Sequence, residues 1–344
     1  MFRNKNTVYL VFILFLLPRC IEPYVPYIST EASNKYVVSG QITDVGGYQF
    51  VNVSLSSPVG NPHYIPVLGC FVSISDNKDH VFSLEDVGQG NYRAWIDQQY
   101  LIPGTSYMLK IKTPDGIEIE SDYDQMYRCP DIDSVYYIKE DLPTNDPLIF
   151  NKGIQFYVDL NGTNLNSYFY RWDLEETWEY HSSYPKEWTY DGEIHQIKPP
   201  DYSRMVCWST QTIKNIYTLT TQNLSENKYK KLPLHFVDNT TSRLTYLYSL
   251  LVKQYALSES GYTYWEQLRI NSNDQGGMYS KQPLAIQGNI KNITHPNQSV
   301  LGFFAATSIK SKRIFIKEVD GLIIDYKPIC APTWYRKGFL EVEE

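Results

Sequence analysis

Many short segments of this chain alternate between apolar and polar residues with a period of two, the repeat of a strand buried on one face. Between Tyr36 and Ser121 the alternation predicts seven strands: Val37–Thr43, Phe50–Leu55, Val67–Ile74, His80–Leu84, Asn91–Ile96, Tyr107–Lys112 and Ile117–Ser121. The breaks between them hold turn formers, among them Gly88-Gln-Gly-Asn-Tyr92, Gly104-Thr-Ser-Tyr107 and Thr113-Pro-Asp-Gly116, the last with Pro and Gly where a tight hairpin wants them. Strands this closely spaced predict an antiparallel sandwich over residues 35–127.

Cys129-Pro-Asp-Ile-Asp-Ser-Val-Tyr-Tyr-Ile138 marks the crossing into a larger β-rich domain, residues 128–344, with Pro130 breaking the chain. Ile154–Leu160 and Tyr168–Leu174 are expected to pair through the turn Asn161-Gly-Thr. Farther on, Tyr246–Leu257 is rich in apolar residues and suits a buried strand. In the following segment Tyr262, Trp265 and Leu268 recur at i, i+3 and i+6, which predicts one helix near 258–271 with Ser258 as its cap. After a turn-rich Asn271–Gly277 come Pro283–Asn292 and a last strand from Val300. The fold class is mainly β: a sandwich, then a β-rich domain with one short helix.

At the start, Arg3 and Lys5 precede an apolar run from Val8 to Leu17, long enough for the core of a signal peptide and shorter than the roughly 20 residues of a spanning helix. Residues 1–19 are therefore expected to be a signal peptide. The next residue ends Leu17-Pro-Arg-Cys20, which resembles the box at which lipoproteins are cleaved and lipidated, with Arg19 in place of the usual small residue. Lipid on Cys20 would anchor the chain through a tether, residues 20–34, each buried CH₂ contributing roughly 0.8 kcal/mol. Removal of 1–19 takes away Arg3, Lys5 and Arg19 and no acid, leaving 28 basic against 38 acidic residues. That balance lacks the basic footprint a nucleic-acid partner requires.

Composition adds 30 Tyr, 14 Phe and 7 Trp, which fit strand positions half in and half out of a sheet. One polar, proline-containing segment concentrates them: Trp178, Tyr180, Tyr184, Trp188 and Tyr190 are the candidate contact for a partner or glycan, provided the segment projects from the sheet. No G-x-S-x-G, H-E-x-x-H, phosphate loop or nucleotide fingerprint is present, and the six histidines lack ligand spacing. Glu175 and Glu176 would point to opposite faces of a strand, which does not suit a carboxylate pair acting across one cleft. The expectation is no enzyme, no catalytic residue, no cofactor and no metal. After Cys20 remain Cys70, Cys129, Cys207 and Cys330, in an exported chain where disulfides persist.

Tyr262-x-Tyr-Trp265, Ile286-x-Gly-Asn-Ile290 and Leu301-Gly-Phe-Phe-Ala-Ala306 resemble the Bacteroidota outer-membrane lipoprotein family catalogued as domain of unknown function 4249. The N-terminal strands resemble transthyretin-like or Ig-like modules, usually spacers or docking units. From the family, Cys207 in Cys-Trp208 and Cys330 in Ile-Cys-Ala-Pro are expected to form a disulfide; Cys70 and Cys129 are left as a second bridge or as two buried thiols. The resemblance further implies an outer-membrane location and a non-enzymatic subunit, accessory or ligand-binding, beside a TonB-dependent receptor. The alternative is a glycan-binding or surface interaction module acting alone. Which side of the membrane the domains face, the ligand and the oligomeric state are left open.

Overall fold

The computed structural model describes residues 34–58, 61–182, 184–203, 205–273 and 286–326. In chain order its strands are β1 (Tyr36–Thr43), β2 (Gly47–Leu55), β3 (Ile65–Pro66), β4 (Phe71–Asp76), β5 (Val81–Asp86), β6 (Asn91–Ile96), β7 (Ser106–Lys112), β8 (Glu118–Ser121) and β9 (Asp124–Gln125). They are followed by β10 (Ile132–Pro143), β11 (Phe150–Asn161), β12 (Phe169–His181), β13 (Lys186–Tyr190), β14 (Ile194–Asp201), β15 (Val206–Thr220), β16 (Lys228–Asp238) and β17 (Tyr248–Leu257). Helix α1 (Glu259–Asn273), β18 (Ile290–Asn292) and β19 (Leu301–Ile316) complete the described chain. The protein is mainly β with one α-helix among the described residues.

The N-terminal strands fold as the alternation requires. Val38, Ile42, Val51, Val53, Ile74, Tyr92, Ile96 and Leu109 turn inward to form the upper core, while their strand neighbours face outward. β5 turns the corner of the sandwich: Val81–Leu84 pair with β4, and Glu85 and Asp86 pair with β6. Val67 stands outside β4, because the buried Tyr92 hydroxyl donates to the Val67 carbonyl (2.9 Å) and accepts the Cys70 N–H (3.0 Å), holding this stretch as a loop.

The expected division after residue 127 needs amendment. Residues 301–307 of β19 pair in parallel with β1, and β18 pairs with β8, so Ile290, Val300, Phe304 and Ala306 belong to the upper core. The second half of β19 pairs antiparallel with β17. One strand thus carries a continuous hydrogen-bonded ladder, β15-β12-β17-β19-β1-β2-β6, from the second sandwich into the first.

The expected hairpin at Asn161 is also corrected. β11 pairs with β10 and β16, and β12 with β15 and β17, so the two segments face each other across a second, lower core that includes Phe156, Val158, Trp172, Leu174, Leu250 and Val252, instead of lying side by side. Asn227 fixes the crossing: its Nδ2 donates to the carbonyls of Gly162 (2.9 Å) and Ser167 (2.7 Å), and its Oδ1 accepts from Tyr170 and Thr221. On the other face of the β15-β12-β17-β19 sheet lies α1, held by the Phe169–Tyr262 ring contact at 5.2 Å and by the Thr218 hydroxyl donating to Glu266. Ser258 caps it, Oγ accepting the Gly261 N–H at 3.0 Å.

Candidate functional site

β12 and β15 run on past the end of β17. Trp178 is the last β12 residue paired with β17; Glu179, Tyr180 and His181 pair across to Trp208, Cys207 and Val206 of β15, with the Glu179 N–H still reaching the Leu247 carbonyl (2.8 Å) just before β17. The chain between them forms the β13–β14 hairpin, whose strands bond to each other and, among the described residues, to no further strand. Pro199 and Pro200 in β14 have no N–H to offer one.

A two-stranded ribbon has little interior, so its apolar residues stay in water. Tyr184, Tyr190, Ile194, Tyr202, Val206 and Trp208 are exposed, Tyr190 at 72%. Of the five aromatics singled out in the sequence, Tyr180, Tyr184 and Tyr190 are exposed and Trp188 is half-buried. Trp178 is set apart from them: it packs against the lower core, with the Arg243 guanidinium 5.1 Å from its ring centroid. Trp208 and Val206 join the tyrosines on the surface, their i, i+2 spacing on a strand putting both on one face.

Beneath this tip, Glu175 and Glu176 take opposite faces. Glu175 meets Arg313 at 3.1 Å on the half-exposed side. Glu176, 1% exposed, accepts from Arg243 Nε and the Tyr248 hydroxyl, both at 3.0 Å, with His235 Nε2 3.6 Å away. Burial alone would raise its pKa, but His235, Arg243 and Tyr248 outweigh burial and hold the carboxyl below the usual glutamate range. A carboxylate kept ionised and fully engaged is an anchor for the 242–244 turn and has no proton to donate near neutrality.

Where the sandwiches meet, a groove of about 790 Å³ is lined by Asp44, Arg128, Asp131, Asp133 and Lys310, among others. Its acids are occupied: Lys310 pairs with Asp131 at 3.0 Å, Lys230 with Asp133 at 2.8 Å, and Asp44 accepts the Ile309 N–H at 2.8 Å. Cys129 stands in the wall, its thiol pushed up to about 12 by burial, with Gln254 pulling the other way; it is inert near neutral pH. Among the described residues, no three His, Cys, Asp or Glu are placed to hold a metal ion. Nor does any described helix have the length and apolarity to cross a membrane.

The family model for a domain of unknown function (DUF4249) matches residues 21–313. The chain belongs to this family. No curated protein matches it. In this DUF4249 chain the residues that carry the resemblance converge on β19. Gly288 abuts Gly302, where a Cβ on the former would stand 1.6 Å from the Gly302 carbonyl oxygen. Asn289 binds the backbone of Phe304. Tyr264 stacks on Phe303 at 5.0 Å, and Trp265 follows it on α1. These residues build the joint between the sandwiches. Cys70 and Cys129 are buried thiols, unlinked to each other. Cys207 is half-buried opposite Tyr180, and Cys20 and Cys330 lie outside the described residues.

Proposed function

We propose that this DUF4249 chain is a non-enzymatic Bacteroidota lipoprotein, anchored in the outer membrane by lipid on Cys20, that serves as an accessory or ligand-binding subunit beside a TonB-dependent receptor. The tip formed by β13–β14 and the ends of β12 and β15 is the docking surface. The observation that carries docking is the exposure of Tyr184, Tyr190, Tyr202 and Trp208 at a tip whose β13–β14 ribbon, among the described residues, no other strand covers. Tyr and Trp dominate interface hot spots, and clustered exposed apolar side chains mark interaction sites. The anchor rests on the apolar run Val8–Leu17 and the Leu17-Pro-Arg-Cys20 box; the receptor as partner rests on the resemblance to envelope lipoproteins. The engaged state of Glu176 and of the groove acids supports a role without catalysis.

The test is affinity capture of the full-length lipidated protein from mild-detergent envelope extracts, wild type beside Tyr190→Ser/Trp208→Ser. An integral outer-membrane receptor should accompany wild type and be lost with the variant, whose thermal unfolding should be unchanged. Wild type without a receptor ends the subunit reading. A variant that keeps the receptor ends the tip as its contact.

A further inference from the structure

The ladder that joins the sandwiches has a second consequence on its outer face. β19, β1, β2 and β6 present Phe303, Ala305, Ser39, Gln41, Phe50, Asn52 and Asn91 on one side, away from the upper core, and α1 crosses above them. Sheet and helix part to leave a crevice of about 310 Å³, at the lower end of the range for small-ligand sites.

We propose that this crevice binds an uncharged glycan, with Phe50, Tyr264 and Trp265 against the apolar faces of the sugar rings and Gln41, Asn52 and Asn91 bonded to their hydroxyls. The lining itself holds no carboxylate, ammonium, guanidinium or imidazole. The nearest cations are already paired, Arg171 behind the wall with Asp173 (3.0 Å) and Arg93, which lies over the Tyr48 ring, with Glu85 (2.7 Å), so a charged ligand would find no unpaired counterion. A carboxamide both donates and accepts, as a sugar hydroxyl does. Part of that capacity is used inside the protein, Gln41 Nε2 donating to Thr307 and Asn52 Nδ2 to Tyr64 and Asn91. The second Gln41 N–H, the Asn52 Oδ1 and the Asn91 Nδ2, whose own bonds are long (3.4 and 3.5 Å), are left to meet the hydroxyls. An extended peptide is disfavoured because it binds by adding to a free sheet edge, and β1, β2 and β19 have neighbours along the crevice. Phe50 leads outward to Tyr48 (6.4 Å between centroids), and Tyr48 to Trp95 (5.2 Å). Phe50 is 54% and Trp95 62% exposed, an aromatic track suited to an oligosaccharide longer than one residue.

Arg171 supplies the independent observation. It is 4% exposed, and its Nε is buried without a hydrogen-bond partner, which costs stability. Its guanidinium lies 3.9 Å over the Trp265 ring and 4.6 Å over Tyr255, and Nη2 donates to Gln41 Oε1 (3.4 Å) and Asp173 (3.0 Å). One buried cation therefore fixes both an aromatic wall and an amide of the crevice. A site held in place before its ligand arrives loses less entropy on binding.

The crevice shares no residue with the tip, so the two readings fail separately. Affinity electrophoresis of the full-length protein in detergent, through gels containing soluble glucan, mannan, xylan or, as the charged control, polygalacturonate, tests it. At least one neutral polymer should retard wild type. Phe50→Ala/Asn91→Ala should weaken that binding at least about tenfold, as expected when a hot-spot contact is lost. Ser39→Trp, which fills the crevice from an exposed position, should abolish it even where the double variant is unstable, and Tyr190→Ser/Trp208→Ser should leave it intact. Retardation by no neutral polymer, by polygalacturonate alone, or equally in wild type and Ser39→Trp overturns the proposal.

Discussion

Asn289 holds Phe304 by both ends of its carboxamide: Nδ2 donates to the Phe304 carbonyl at 2.8 Å, and Oδ1 accepts the Phe304 N–H at 2.9 Å. This is the pair of bonds a neighbouring strand would make. Both residues are buried, so Asn289→Ala strands an N–H and a C=O where water does not reach. The expected cost is about 2–4 kcal/mol, seen as a lower urea midpoint at constant m. Asn289→Asp keeps the acceptor, loses the donor and buries a charge, and should be no better tolerated.

Close backbone approach fixes the same joint. Gly302 has φ +105°, and a Cβ there would stand 1.9 Å from the Val38 carbonyl oxygen. Gly302→Ala must push β19 off β1 as well as strain its own backbone, at a cost of about 3 kcal/mol or more. Retention of the wild-type unfolding midpoint would count against this account.

Local structure was legible in the sequence for the first sandwich and for α1, but β13–β16, whose apolar residues are sparse and half-exposed, were not. Period-two alternation located β1, β2, β5, β6, β7 and β8, and the Ser258 cap with aromatics at helical spacing located α1. What alternation cannot report is the partner of a strand. It tells which face is buried, so Val38 and Phe304 each read as core residues, but nothing local to either says that β1 and β19 lie side by side. The hairpin expected at Asn161 fails for a related reason: the turn is real, but Asn227, far along the chain, carries it across the core. At the site, Trp188 and the tyrosines around it stood out by composition. The crevice under α1 did not, because Phe50, Asn91 and Trp265 come from three distant segments.

Asp124, 3% exposed, accepts the Ala306 N–H at 2.8 Å. Burial pushes its carboxyl up to about 6, against the opposing pull of Ser258, the Ala306 N–H and Ser260. A carboxyl whose folded pKa exceeds its ordinary 3.8 binds more protons in the native state between those values. It therefore destabilises the fold progressively as pH rises from about 4 to about 6. Asp124→Asn can still accept from Ala306 and should flatten that part of the profile, gaining up to about 3 kcal/mol at pH 7.5. Thermal melts of both proteins from pH 4 to 8 check this; a gap that does not widen with pH sinks it.

The proposed Cys207–Cys330 bridge would tie the C-terminal tail to the base of the docking tip. Closing a loop of that length contributes roughly 4–5 kcal/mol in the chain-entropy model. Non-reducing peptide mapping should recover the two cysteines in one linked fragment, with Cys70 and Cys129 alkylated only after unfolding. Rapid native labelling of Cys207 would refute the bridge.

Glu176 has the opposite pH signature. Against the upward push of burial, His235, Arg243 and Tyr248 hold its carboxyl below the usual 4.5, so its contribution is present above that pH and is lost as pH falls toward the depressed value. Glu176→Gln leaves Arg243 without its counterion. Because Arg243 is a quarter exposed, the cost should be about 2–3 kcal/mol, below the roughly 3–5 of a fully buried pair broken on one side. The Asp124→Asn background removes the competing titration. In that background the stability gap between Glu and Gln at position 176 should be widest at neutral pH and shrink below about pH 4.5. A gap that stays constant from pH 7 to pH 3.5 would show that Glu176 stabilises through packing and neutral hydrogen bonds alone.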